Sequence, residues 1–156
     1  MRWPCRVKIL VPGKIKFPFI KEGALFYAQR LKRYLPFSLE EKKVPRSKDP
    51  SKLKRLEAEA LIKGVSPESF IVALDVKGQE LDSQKFSQKL GKLLEARQEI
   101  VFLIGGAYGL EEDLLKKANW CLSLSRLTFN HEIALLILLE QLYRALSILA
   151  GEPYHK

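Results

Sequence analysis

Two short, almost wholly apolar runs, FIVAL at 70–74 and EIVFLI at 99–104, constrain this chain more than any other feature. A strand with one solvated face alternates apolar and polar residues, whereas a near-continuous apolar strand is covered on both faces. Such strands belong to parallel sheets flanked by helices. The segment between the two runs supplies one helix: Asp82 or Ser83 opens a helical pattern that reaches about Arg97. Further strands are expected at 7–11, stopped by Pro12-Gly13, and at 120–124 (WCLSL). Residues 37–44 alternate only weakly but complete a set of five strands. Ile20, Ala24, Tyr27, Leu31, Tyr34 and Leu35 recur at spacings of three and four, which predicts an amphipathic helix over 20–35 closed by Pro36. Pro50 or Ser51 opens another helix that ends at Gly64, and a short one is expected over 111–118. Asn130 caps a long helix from about His131 to Ala150. Strands alternating with helices predict an α/β fold with a mostly parallel sheet, covered by helices on both faces. With no internal repeat and no linker rich enough to separate a second domain, 1–156 reads as a single domain.

Charge narrows the partners. Residues 1–63 hold 17 basic and 6 acidic side chains, a net of +11, while the remainder holds 10 and 12, a net of −2. Such asymmetry points to a polyanion met by one region of the molecule. The start of the chain carries charges every few residues, so it does not read as a signal peptide. The most apolar stretch, 133–139, is far short of the ~20 residues a membrane span needs. Two cysteines, Cys5 and Cys121, make neither a disulfide framework nor a zinc cluster, and a reducing, cytoplasmic setting is expected. Nor does any spacing of His, Cys and carboxylate suggest a metal.

In an open α/β sheet, ligands bind beyond the carboxyl ends of the strands. Three loops leave such ends: one after Leu74 with Asp75 and Gly78, the run Gly105-Gly106-Ala107-Tyr108-Gly109, and Leu124 to His131. Adjacent glycines let backbone approach a ligand closely, or simply make a tight turn. Neither the dinucleotide fingerprint nor the nucleotide-triphosphate loop is present. Ser125 and Thr128 could bind ligand or cap the coming helix, and no nucleophile elbow surrounds any serine. Glu140 and Arg144 form an i, i+4 pair on the long helix. Residue chemistry alone stops at an α/β ligand-binding domain that touches nucleic acid.

The motifs LDVKGQELDS (74–83), FLIGGAYGL (102–110), LSLSRLTF (122–129), LLEQLYRA (138–145) and GEPYHK (151–156) run in this order. Together they resemble the RlmH (YbeA) family, the small single-domain SPOUT methyltransferases. The resemblance is strong from Phe70 onward and weaker before Gly64. It implies transfer of a methyl group from S-adenosyl-L-methionine (SAM) to N3 of a pseudouridine in 23S rRNA of the assembled ribosome. It also implies a C-terminal trefoil knot and a homodimer packed through the knot helices. Carried onto this chain, the cofactor pocket would be Leu74, Gly105, Leu124, Ser125, Arg126, Leu127, Thr128 and Phe129. His155, Tyr154, Arg144 and His131 would lie by the methyl group and the incoming base. In this reading His155 is the favoured proton acceptor, Tyr154 stacks on or bonds the base, and Arg144 stabilises its developing negative charge.

Three positions depart from the family pattern: Asn130 stands where proline is common, Glu132 where glutamine is, and Leu135 where arginine is. An added anion and a missing cation beside an RNA-facing site are expected to weaken substrate binding. They keep in view a related enzyme acting at another RNA position; a non-catalytic RNA-binding module on the same scaffold is the third reading, against which the intact glycine loop, SLS loop and YHK tail stand.

Overall fold

The computed structural model describes residues 2–156. Five strands, β1 (Arg6–Pro12), β2 (Phe37–Lys42), β3 (Phe70–Glu80), β4 (Glu99–Leu103) and β5 (Trp120–Ser123), form one sheet in the order β2-β1-β4-β3-β5. Every pairing is parallel. The helices are α1 (Pro18–Leu31), α2 (Pro50–Ile62), α3 (Ser83–Ala96), α4 (Glu112–Lys117) and α5 (His131–Leu149).

Strand alternation sorts the core into two layers. Val7, Ile9, Val72, Ile100 and Phe102 face α1, α3 and α5, and Leu10, Ala73, Val101 and Leu103 face α2 and α4. This double coverage is why β4 and the first half of β3 are almost wholly apolar. α5 packs between α1 and α3, at contacts tight enough that a Cβ on Gly91 would meet Leu149 at 2.9 Å. The Ser87 hydroxyl donates to the Ala145 carbonyl across the same seam at 3.0 Å.

Two expectations need correction, and a third, the faint strand at 37–44, is borne out at Phe37–Lys42. α1 begins at Pro18 and ends at Leu31, not over 20–35. Pro18 fits the first helical turn, where its missing N–H costs nothing, and Tyr34 and Leu35 reach the core from a turn after the helix. The weak alternation at 37–44 is a true strand; β2 is an edge strand, so its polar residues meet solvent. The loop expected after Leu74 lies instead within β3. Leu122 is opposite both Leu74 and Gln79, and residues 75–78 bulge between them. A Cβ on Gly78 would lie 2.7 Å from the Cys121 carbonyl carbon, so only glycine lets the bulge lie against β5.

Among the described residues no helix is long and apolar enough to cross a membrane, and no group of three or more His, Cys, Asp and Glu is placed to hold a metal ion.

Candidate active site

Because all five strands are parallel, their carboxyl ends share one edge of the sheet. The bulge of β3 and the loops leaving β4 and β5 enclose a cavity of about 350 Å³ there. Its size is at the small end of the ~300–1,000 Å³ typical of small-molecule sites. Leu74, Gly105, Leu124, Ser125, Leu127, Thr128, Phe129 and His131 all line it. Arg126 does not: it points to solvent and pairs with Glu80 at 3.3 Å. The Ser125 hydroxyl is occupied locally, accepting the Leu127 N–H at 3.0 Å, so it shapes the loop. Asp75, Val76, Tyr108 and Ala134 also line the cavity, and none is among the pocket residues that the family resemblance implies. Tyr108 and Leu127 stand exposed at its mouth.

The glycine loop has its own geometry. Gly106 and Gly109 form an isolated bridge, with the Gly109 N–H donating to the Gly106 carbonyl at 3.1 Å. Gly109 has φ +80, and a Cβ on Gly105 would lie 2.6 Å from the Gly109 carbonyl carbon. Backbone therefore forms this wall of the cavity.

His131 opens α5 beside the cavity and is half-buried. Burial, with Lys16 nearby, holds its imidazole below the ordinary histidine pKa despite the opposing Glu132 charge. It is neutral at physiological pH, with one ring nitrogen free to accept a proton.

Two of the three departures, Glu132 and Leu135, face inward. Glu132 is buried, and its carboxylate accepts the backbone N–H groups of Lys16 (2.9 Å) and Phe17 (3.0 Å). Leu135 lies in the core. Neither sits on an RNA-facing surface, so the expected penalty from an added anion and a missing cation does not arise there. Asn130 caps α5 through the Glu132 N–H at 2.9 Å. Glu132 instead pins the loop between β1 and α1 to the start of α5. Glu132→Ala should lower stability by roughly 2 kcal/mol, because two backbone donors lose their acceptor. Urea unfolding of the variant beside wild type measures this.

The remaining candidates form a second cluster towards the far end of α5. Arg144 donates to both Glu140 oxygens, at 2.7 and 3.3 Å. Tyr154 donates to Glu140 Oε2 at 2.7 Å, and Arg144 Nη1 lies 3.0 Å from His155 Nδ1. Burial pushes the Glu140 carboxyl up, but the hydrogen bonds from Arg144 and Tyr154 outweigh it and hold the group below the usual range. Burial and the Glu140 bond push the Tyr154 phenol well up. Guanidinium only donates, so His155 Nδ1 is an acceptor here and its ring proton sits on Nε2. Glu140, read from the sequence only as a helix ion pair, is the hub of this cluster.

The structure thus brings His131 to the cavity and leaves Arg144, Tyr154 and His155 elsewhere. His131 and Arg144 are thirteen residues apart on one helix, about 20 Å at 1.5 Å per residue.

Comparison with known proteins decides the family. The family model described as predicted SPOUT methyltransferase matches residues 5–155. The chain belongs to the SPOUT methyltransferase family. It is 42% identical over 151 residues to the ribosomal RNA large subunit methyltransferase H of Trichlorobacter lovleyi, covering 96% of this chain and 99% of that protein. It is 45% identical over 153 residues to the protein of the same name from Dictyoglomus thermophilum, covering 96% and 98%. A probable methylase family protein from Haemophilus influenzae Rd KW20 shares the fold at TM-score 0.55 and 16% identity, over 96% of this chain and 70% of that one. A probable methyltransferase from Bordetella pertussis Tohama I does so at the same TM-score and identity, over 91% and 95%. Within this SPOUT methyltransferase, the cavity lies where an open α/β sheet binds its ligand.

Proposed function

We propose that this SPOUT methyltransferase uses SAM to methylate N3 of a pseudouridine in 23S rRNA of the assembled ribosome, acting in the cytoplasm as a homodimer. The observation that carries the reading is the cavity at the carboxyl edge, walled by the glycine loop and by residues 124–129, with His131 beside it. Leu74, Leu122 and Leu124 offer apolar walls for a purine, and the backbone of the two loops offers hydrogen bonds to its polar edge.

When bound, SAM supplies an electrophilic methyl carbon and departs as a neutral thioether. Pseudouridine N3 carries a proton, so its nitrogen becomes a nucleophile only as that proton leaves. His131, neutral and at the cavity, accepts it; the nitrogen's electron pair then forms the new N–CH₃ bond. His155 is the acceptor favoured from the sequence, but its free nitrogen is turned to Arg144. We therefore assign His155, Tyr154 and Arg144 to holding the base. Arg144, kept charged by Glu140, stabilises the negative charge that develops on the ring. A covalent cysteine adduct is disfavoured, since burial pushes Cys5 up to about 11 and also raises Cys121.

The split site supports the homodimer. One chain cannot bring both ends of α5 to one substrate, but two chains packed with their α5 helices antiparallel can. Phe19, Phe26 and Ile133 are exposed apolar residues on the adjacent helices α1 and α5, and suit such packing. The trefoil knot that the family resemblance implies belongs to the same proposal.

The basic region supports the RNA partner. β2 ends at Lys42, so Lys43, Arg46 and Lys48 and the start of α2 emerge on the same edge as the cavity. Replacing Lys52, Lys54 and Arg55 by alanine should weaken ribosome binding and flatten its log–log salt dependence by about 2–3, with SAM affinity unchanged. Equal loss of both affinities would mean these charges support the fold. The activity itself is tested by incubating the protein with labelled SAM and ribosomes lacking the modification, then mapping the product by mass spectrometry. N3-methylpseudouridine in 23S rRNA is expected; label at another nucleotide, or none, would sink the proposal.

A further inference from the structure

Glu57 stands where the fold alone would place an apolar residue. The inner face of α2 packs Ala58 and Leu61 on Leu10, Val101 and Leu103, and Glu57 is buried on that same face at 8% exposure. Among the described residues it has no ion-pair partner, and its Oε1 is the one buried side-chain polar atom with no hydrogen bond. Its neighbour is the glycine loop. The nearby Gly106 amide favours the charged form of the carboxyl group, while burial, the larger effect, pushes its pKa up. A Cβ built on Gly106 would lie 2.9 Å from the Glu57 carboxyl carbon and closer still to Oε2. So the two residues specify each other: residue 106 is glycine because a carboxyl group fills the space its side chain would need.

Gly106 also lines the cavity. One backbone segment therefore separates the buried carboxyl from the cavity. A buried carboxyl with an unpartnered oxygen costs stability, and a leucine of similar size would avoid that cost. A group kept at a cost to the fold, against the wall of a binding cavity, is accounted for by its effect on that wall.

We propose that Glu57 is a positioning residue for the cofactor: from behind, its carboxyl holds the Gly106 amide and fixes the 105–109 loop in the shape that admits the ligand. This rests on the reading of the cavity as the SAM site. Glu57 touches neither cofactor nor RNA, so it acts through Gly106 on cofactor affinity.

The test compares full-length wild type, Glu57→Leu and Glu57→Gln in three measurements: urea midpoint, SAM affinity by calorimetry, and amide exchange at residues 106–109 without ligand. Glu57→Leu is expected to be at least as stable as wild type. Its loop amides should nevertheless exchange faster and its SAM affinity fall, each by about tenfold, the worth of one lost hydrogen bond. Glu57→Gln keeps a carbonyl oxygen for the Gly106 N–H and should restore both to within about threefold. Should Glu57→Leu fail to fold, Glu57→Asp, one methylene short of Gly106, takes its place in the same comparison. Unchanged exchange and affinity in the leucine variant would overturn the proposal. So would a glutamine variant that loses stability and affinity together, since that pattern marks a purely structural residue. If wild type itself takes up no SAM, the proposed function fails, and loop exchange alone still decides the role of Glu57.

Discussion

Replacing His131 by alanine is expected to cut turnover by at least about 10²-fold at saturating SAM and ribosomes, because general-base catalysis contributes ~10²–10⁴-fold. The size follows from the substrate. Without an acceptor, the N3 proton must leave directly to water. Cofactor affinity should change little, since the other walls of the cavity stay in place. The pH profile gives a second, independent reading. Burial lowers the His131 pKa, so the imidazole stays neutral and competent further into acid than an exposed histidine would. The acid limb of the turnover profile should therefore fall below the ordinary histidine value of about 6.5, and it should vanish in His131→Ala. A normal rate in the variant, or an unshifted limb that survives the substitution, would remove His131 as the base and return the role to His155.

What can be read from the sequence tracks how local each cause is. β3 and β4 are legible because double coverage leaves its mark on every residue of a strand. β2 is faint because an edge strand mixes core and solvent positions, and only its pairing with β1 identifies it. The bulge at 75–78 leaves one trace, Gly78, whose meaning depends on Cys121 more than forty residues away. In the site, residues 124–129 are consecutive, so a matching motif finds nearly the whole wall. It cannot show which of them turn outward, and Arg126 does. Glu132 illustrates the opposite error. Its position beside His131 suggests a surface anion, but the loop that covers it comes from the other end of the chain. The same holds for Glu57 and Gly106, each unremarkable until α2 is laid behind the glycine loop.

Mixing two inactive variants should restore activity, and this follows from the separation along α5. His131 lies at the cavity and the Glu140–Arg144–Tyr154–His155 cluster lies about 20 Å away on the same helix, so each substrate is expected to meet His131 of one subunit and the tail of the other. Arg144→Ala should by itself lower turnover by about 10²-fold or more, because it removes the donor proposed to stabilise the developing charge and releases both Glu140 and His155. Combine that variant with His131→Ala under conditions that let subunits exchange. Half of the resulting dimers are mixed, and in each mixed dimer one site carries both substitutions while the other carries neither. Activity should therefore rise from near zero in either variant alone to about a quarter of the wild-type rate, the share of intact sites in a randomly exchanged two-fold dimer. If each site were built within one chain, every site in the mixture would still hold one substitution and no activity would return. Phe26→Arg, which places a charge on the exposed apolar face of α1, supplies the control. It should yield a folded monomer by light scattering, abolish turnover, and leave no recovery when added to either variant. Recovery without dimers, or a fully active monomer, would break the link between the two ends of α5.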